Sequence, residues 1–181
     1  MTIKLVIITP CSRIENLFVL EKAIKSIPET NRRWIVVFDR EEIPLDIPKS
    51  CEPYAFKDKE SVFGNAQRNY AFQLIDEGYI YFNDDDTVIH PHLWDNIKNS
   101  TEDFVYFKQE DKEGKIRLEG EIVAPNYIDS GNFIVTRQCI GDIRWDLKRY
   151  DADGVFAQEC YKKAKTKKYI PISLSIYNSL K

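Results

Sequence analysis

The sequence is poor in several things that common functions need, and each shortage weighs against a class. Glycine occurs 7 times in 181 residues, and the first expected strand ends in Thr9-Pro10-Cys11. A nucleotidyltransferase would place a glycine-rich phosphate loop there. A phosphatase with an aspartyl nucleophile would place its aspartate there. Neither feature is present. The four cysteines, Cys11, Cys51, Cys139 and Cys160, form no Cys-x-x-Cys pair, which argues against a zinc site of paired ligands. Four reduced, buried thiols are expected, and Cys11 has no base beside it to make it a nucleophile. The 2 histidines, His90 and His92, flank Pro91, where surface or helix-start positions are expected rather than ligation. Apolar runs such as Leu5-Val6-Ile7-Ile8 are far shorter than a membrane span. Met1-Thr2-Ile3-Lys4 lacks the shape of a signal peptide, so a cytoplasmic location is expected. With 26 Lys+Arg against 29 Asp+Glu and a net charge of −3, there is no basic surplus to suggest a nucleic-acid partner.

What is there is a globular composition: 43% hydrophobic and 30% charged residues, enough for a core and too apolar for disorder. One domain spanning 1–181 is expected. Ile3 to Thr9 reads as a strand buried on both faces. Ser12-Arg13-Ile14-Glu15 has the form of a capping box, followed by Leu17, Leu20, Ile24 and Ile27 at helical spacing, with Pro28 as the stop. Trp34 to Phe38 is a second buried strand ending at Asp39, so the first third predicts a parallel strand–helix–strand crossover. Residues 40–60 read as irregular because of Pro44, Pro48 and Pro53. A second helix opens near Gly64-Asn65, buries Ala66, Tyr70, Leu74 and Ile75, and leaves Gln67, Arg68 and Asn69 near its open first turn. Gly78 closes it.

Tyr79 to Phe82 is another strand, running into Asn83-Asp84-Asp85-Asp86-Thr87, and a short helix follows from Pro91 to about Asn99. Phe104–Gln109, Ile116–Leu118 and Glu121–Ala124 predict hairpin strands, with a turn at Lys112-Glu113-Gly114. Phe133 to Thr136 is one more strand and Asp151 to Lys165 the final helix. The fold class is α/β, with an open mixed sheet in a single compact domain.

Three consecutive aspartates at the end of a buried strand are the most informative feature. Neighbouring carboxylates repel by roughly 1 kcal/mol per pair at 4 Å even in water. A divalent cation at the carboxyl edge of the sheet gives that crowding a purpose, because ligands of open α/β folds bind there. Hard oxygen ligands suit Mg²⁺ or Mn²⁺ shared with a phosphate; the alternative is a solvated acidic turn capping the helix at Pro91. Asp39, at the end of the neighbouring strand, faces the same edge. Arg68, in the first turn of a helix, adds positive charge where free backbone donors already favour anions.

The order Ile7-Ile8-Thr9-Pro10 with Arg13, then Trp34-Ile35-Val36-Val37-Phe38-Asp39, then Ala66-Gln67-Arg68-Asn69, then Tyr81-Phe82-Asn83-Asp84-Asp85-Asp86, resembles the GT-A fold glycosyltransferases. It is similar to the broad family-2-like enzymes and to the glucuronyltransferases that build proteoglycan linkers. The resemblance covers residues 5 to 95. It implies a Rossmann-like sheet with helices on both faces, residues 1–100 forming the nucleotide-sugar-binding half and 101–181 the acceptor side. It implies a metal-dependent, inverting transfer of a sugar from a nucleotide diphosphate donor, UDP-linked in the commonest case, to a glycan or other hydroxyl acceptor. By the same resemblance Thr9, Pro10 and Arg13 line the nucleotide pocket and Asp39 contacts the base. Arg68 reaches the diphosphate or ribose, Asp84 and Asp85 the ribose and sugar, and Asp86, with Asp84, the cation. Asp129-Ser130-Gly131-Asn132-Phe133 resembles the segment beneath the donor sugar, with Gly131 and Asn132 at the donor.

The general base of the family is an acidic residue at the start of a late helix. Tyr150-Asp151-Ala152-Asp153-Gly154 offers two, with Asp151 favoured as base and Asp153 as the residue beside the cap; either fits the family's acidic pair. In contrast to the linker glucuronyltransferases, no anchor is expected here, and their late histidine has no counterpart, the histidines being His90 and His92. Its short acceptor side leaves room for a second copy or a partner subunit. Two other functions fit the same residues: a non-catalytic nucleotide-sugar-binding subunit, and another metal-dependent nucleotidyl- or phosphate-transfer enzyme.

Overall fold

The computed structural model describes residues 2–60 and 62–180. Strand β1 (Leu5–Cys11) pairs in parallel with β2 (Arg32–Phe38), Leu5 opposite Arg32 through to Cys11 opposite Phe38. Helix α1 (Leu17–Ile24) makes the crossover. On its other side β1 pairs in parallel with β4 (Tyr79–Phe82), as far as Ile8 opposite Phe82. β1 runs past the expected end at Thr9. Pro10 lies beyond the last β4 partner, so no second ladder asks for its missing N–H.

The irregular stretch expected over 40–60 contains a strand, β3 (Glu52–Ala55), parallel to β2. It lies at the end of the strand order, and an edge tolerates Pro53 where a central strand would not. β4 pairs antiparallel with β8 (Phe133–Thr136), and β8 antiparallel with β6 (Phe104–Glu110). β7 (Ile116–Leu118) forms the expected hairpin with β6. Residues 121–124, expected as a further strand, are a loop; no ladder receives them. The expected elements end at the last helix, but a ten-residue strand follows it. This is β9 (Lys167–Ile176), parallel to β6 and antiparallel to the two-residue β5 (Val88–Ile89). Pairing moves from Phe107 opposite Ile170 to Lys108 opposite Ser173, so Pro171 falls in an irregularity that needs no donor. The nine-stranded sheet runs β3-β2-β1-β4-β8-β6-β9-β5, with β7 beside β6.

Successive strand residues point to opposite faces, and both faces are covered. Leu5, Ile7, Trp34, Val36 and Phe38 meet Leu17, Leu20 and Ile24 of α1 and the apolar side of α3 (Leu93–Ile97). Val6, Ile8, Ile35 and Val37 belong to the second layer, with α2 (Asn65–Ala71), α4 (Arg137–Ile140) and α5 (Ala152–Lys163). Phe82 is fully enclosed in that layer, with ring centroids of Trp145, Phe156, Phe133 and Phe72 at 5.0, 5.4, 5.9 and 6.0 Å. It is the last residue of β4 before the acidic segment. Phe82→Ala should destabilise the fold by about 3–5 kcal/mol. Denaturant unfolding should show a lower midpoint with an unchanged slope; a loss below about 1 kcal/mol would mean that this layer does not hold β4 in place.

Candidate active site

The carboxyl ends of β1, β2 and β4 open on one edge of the sheet, and the turn leading into β8 meets them there. Between them lies a cleft of about 610 Å³. Among the described residues seven aspartates and three arginines line it, so its interior is acidic before any ligand enters.

The aspartate triplet divides its work. The Asp85 carboxylate accepts hydrogen bonds from the Ser12 backbone N–H (2.7 Å), the Ser12 hydroxyl (3.0 Å), the Arg13 N–H (2.8 Å) and the Arg13 guanidinium (2.9 Å). The capping box expected of Ser12 and Glu15 does not form: no side chain caps the 3-10 turn Ile14–Asn16, and the Ser12 hydroxyl turns to Asp85. A carboxylate from the end of β4 thus does for the β1 loop what a local cap was expected to do. Asp86 accepts from the Arg13 guanidinium at 2.6 Å. Asp84 pairs with Arg68 and accepts from the Ser130 hydroxyl at 3.1 Å. Burial raises the Asp84 pKa, Arg68 opposes that rise, and the Asp129 and Asp86 charges add to it.

Arg68, expected at an open helix turn, is 4% exposed. Its guanidinium carbon lies 4.5 Å from the centre of the Trp145 ring, and Nη1 donates to the Phe63 carbonyl at 2.7 Å. The neighbouring amides of α2 are brackets. Asn65 donates to the Asp146 carbonyl at 2.8 Å, and Asn69 exchanges bonds of 2.8 and 2.9 Å with the Trp145 backbone. Gln67 donates to Asp39 Oδ1 and to the Phe56 carbonyl, each at 3.0 Å. Gly64 caps α2 in a left-handed conformation, φ 76°, and a Cβ there would lie 2.6 Å from Pro10 Cβ. Only glycine satisfies both demands.

Pro10, Arg13, Asp39, Arg68, Asp84, Asp85 and Asp86 all line the cleft, as do Asp151 and Asp153. Thr9, Gly131 and Asn132 are not among its lining residues. Thr9 is enclosed in the core, accepting a 3.0 Å bond from the Trp34 indole N–H. Asp129 and Asn132 cap each other around a 3-10 turn, which aims Asp129 and Ser130 at the cleft. Asn132 instead donates to the Phe107 carbonyl at 2.9 Å, and a Cβ on Gly131 would meet Gln109 Nε2 at 2.8 Å. Cys11 touches the cleft, but burial pushes its thiol up to about 12, so it is no nucleophile. All four cysteines are free and buried.

The two late aspartates have unlike surroundings. Asp151 occupies the N-cap position of α5 without capping it, and both its oxygens bond Arg149, at 2.9 and 2.8 Å. That pairing lowers its pKa. The Asp153 pKa is raised to about 7, by burial first and then by the Asp129 and Asp84 charges, against a 2.7 Å bond from the Gly154 N–H. Asp153 is therefore the carboxylate poised to take up a proton near neutrality.

The far wall of the cleft is not legible in the sequence. Arg117 on β7 bonds Gln109 at 2.6 Å and Asp129 at 2.7 Å, with its guanidinium carbon 3.6 Å from the centre of the Tyr177 ring. Tyr177 directly follows β9, a strand absent from the expected elements. Trp145, Phe63 and Tyr150 also line the cleft, and nothing local marks them in the sequence. Among the described residues no three acidic, histidine or cysteine side chains converge as a metal cage. Asp84 and Asp86 supply hard oxygens from two carboxylates, the number that Mg²⁺ or Mn²⁺ commonly shares with a substrate phosphate. The donor set fits such an ion in kind.

No protein-family model matches the chain, and no curated protein matches it in sequence. Solved structures do. TarS 1-349 from S. aureus superposes with a TM-score of 0.74 at 18% identity, over 96% of this chain and 60% of that one. The same protein in complex with UDP-GlcNAc gives 0.70 at 17%, over 96% and 58%. The mannosyltransferase PcManGT from Pyrobaculum calidifontis, in complex with GDP-Man and Mn²⁺, gives 0.68 at 10%, over 98% and 57%. The likeness covers nearly all of this chain, which therefore has the GT-A fold. The chain spans about three fifths of the length of these structures.

The Asp153 environment has a consequence for stability. A carboxyl group whose folded pKa is raised from 3.8 to about 7 favours the folded state fully below about pH 4, and that contribution is lost as pH rises to about 7. Asp153→Asn should therefore stabilise the protein at about pH 8 relative to its effect at pH 4. Across that interval, at about 1.4 kcal/mol per pH unit, the difference should reach at most roughly 4 kcal/mol. Denaturation at both pH values measures it, and an equal effect at the two would remove the case for a raised pKa.

Proposed function

We propose that this protein is a glycosyltransferase that moves a sugar from a nucleotide diphosphate donor, with UDP favoured, to a hydroxyl acceptor with inversion. The carrying observation is the grouping of Arg13 and Arg68, the triplet Asp84–Asp86 and the proton-accepting Asp153 around one cleft. The nucleotide-sugar ligands of the structurally similar UDP-GlcNAc and GDP-Man complexes support the reading.

In this reading Asp39, steadied by Gln67, accepts the uracil N–H as a charge-assisted hydrogen bond. Arg68 and Arg13 face the diphosphate. Asp86, with Asp84, would hold Mn²⁺ or Mg²⁺, and the ion would supply Lewis-acid relief of the charge on the departing nucleoside diphosphate. Asp153 takes the acceptor's hydroxyl proton as that oxygen bonds to the anomeric carbon. The bond from that carbon to the diphosphate breaks on the opposite face, and its electron pair leaves with the nucleotide. Asp85 acts by holding the Ser12–Arg13 loop rather than by touching the donor. Residues 1–100 supply the donor side and 101–181 the acceptor side.

A thermal-shift series of nucleotide sugars with and without Mn²⁺ tests the donor reading. A bound donor should raise the melting temperature by linkage, equivalent to about 2.7 kcal/mol at a hundred times its dissociation constant. The rise should be larger with Mn²⁺ and larger for UDP than for GDP. Asp39→Ala should reduce the rise produced by nucleotide. Asp86→Asn should abolish its metal-dependent part and lower turnover at least roughly 10²-fold. No rise with any nucleotide sugar would sink the proposal.

The base assignment has its own test. Asp153→Asn should lose transfer while keeping donor affinity, because the proton moves only in the reaction. Transfer by the wild type should rise with pH through about 7, the value at which Asp153 sheds its proton. Asp151→Asn should transfer normally. A dead Asp151→Asn beside an active Asp153→Asn would reverse the assignment. Slow hydrolysis of the bound donor separates an enzyme from a subunit that only binds it.

A further inference from the structure

We propose that Phe63 and Tyr150 form a stacking platform at the cleft that receives a sugar ring of the acceptor, so that the acceptor is a carbohydrate. This rests on the transferase reading above. The two rings line the cleft yet are 63% and 79% exposed, in contrast to Phe72, Phe82, Phe104, Phe133 and Phe156, which are buried in the core. Their centroids are 5.2 Å apart at an interplanar angle of 84°, an edge-to-face pair. Phe63 takes a left-handed backbone, φ 55°, which a bulky side chain rarely adopts.

The surroundings hold it there. The Arg68 guanidinium bonds the Phe63 carbonyl at 2.7 Å, the Val62 N–H donates to the Leu147 carbonyl at 3.0 Å, and Asn65 binds the Asp146 carbonyl at 2.8 Å. Two loops distant in sequence are thus locked together, and their joint product at the surface is an aromatic pair facing water.

A pyranose ring presents a face of C–H groups that suits the electron-rich face of an aromatic ring, and its hydroxyls need polar partners around that contact. Those partners stand beside Tyr150: the Arg149–Asp151 ion pair flanks it in sequence, and Asp153 lies three residues on, in the first turn of α5. A ring seated on the pair faces the cleft that Asp153 also lines. The candidate base reader, Asp39 with Gln67, belongs instead to the end of β2. Tyr150 and its polar neighbours lie on the acceptor side, and Phe63 reaches them from the donor side, so the acceptor is the occupant that the Tyr150 end of the pair favours.

The test uses the methyl glycosides of glucose, galactose, mannose and N-acetylglucosamine as probes. Ligand-observed NMR measures their binding to the wild type, Phe63→Ala, Tyr150→Ala and Tyr150→Phe. The rise in melting temperature produced by UDP is recorded on each. At least one glycoside should bind the wild type. Each alanine variant should weaken it about tenfold, the scale of losing one stacked ring. Tyr150→Phe should keep binding, and all variants should keep the UDP response. Three outcomes overturn the platform: no glycoside binds the wild type, the alanine variants bind as well as it does, or the UDP response falls while glycoside binding stays, which would make the pair a reader of the base. The failure of the transferase reading looks different. There the wild type gives no rise in melting temperature with any nucleotide sugar, whatever the glycosides do.

Discussion

The acidic turn after β4 governs the site. Three adjacent carboxylates at the end of a buried strand repel one another, and a fold that places them there must supply positive charge and hydrogen-bond donors around them. It does so from both faces of the sheet. Arg13 and the Ser12–Arg13 backbone come from the loop after β1 on the α1 side. Arg68 comes from α2 on the other side. Neither arginine is free to be elsewhere: Arg13 is fixed through Asp85, and Arg68 lies over Trp145, whose backbone Asn69 clamps. The loop positions around the cleft thus follow from the need to balance one tripeptide.

Much of the fold is legible because the central strands are long apolar runs. Tyr79–Phe82 and Phe133–Thr136 are expected with their observed bounds, and the β1–α1–β2 crossover to within a few residues. The strands that escape share a physical cause. β3 carries Pro53 and lies at an edge, β5 has two residues, and β9 begins Lys167-Lys168 and contains Pro171. None has the apolar continuity of a strand covered on both faces, because each leans on the sheet instead of forming its centre. The reverse error, a strand over 121–124, comes from alternation alone; a pattern without a pairing partner is only a loop.

The site is legible as a set of sequence neighbours of strand ends, and that is why it is read unevenly. Asp39, Arg68 and Asp84–Asp86 follow strands or open a helix, so topology alone brings them to the cleft. Thr9 and Asn132 are as close to that edge in sequence, yet their side chains point back into the core, to Trp34 and to the Phe107 carbonyl. Arg117 sits on the expected strand β7, but Tyr177, which its guanidinium covers, arrives from beyond β9 and is invisible without that last strand.

The aspartates of the cleft show why residue type does not fix a role. Asp85 accepts four hydrogen bonds from Ser12 and Arg13 and ties down that loop. Asp151 is matched by Arg149 at both oxygens, which holds it ionised and weakly basic. At Asp153, two residues later, burial and the Asp129 and Asp84 charges outweigh the Gly154 N–H bond and the Arg68 charge. A general base has to prefer the proton at the right moment, and that preference comes from unfavourable surroundings for charge. The better-solvated and better-paired carboxylate is therefore the poorer base. Spacing from a helix start cannot reveal this, because the difference lies in what folds over each side chain.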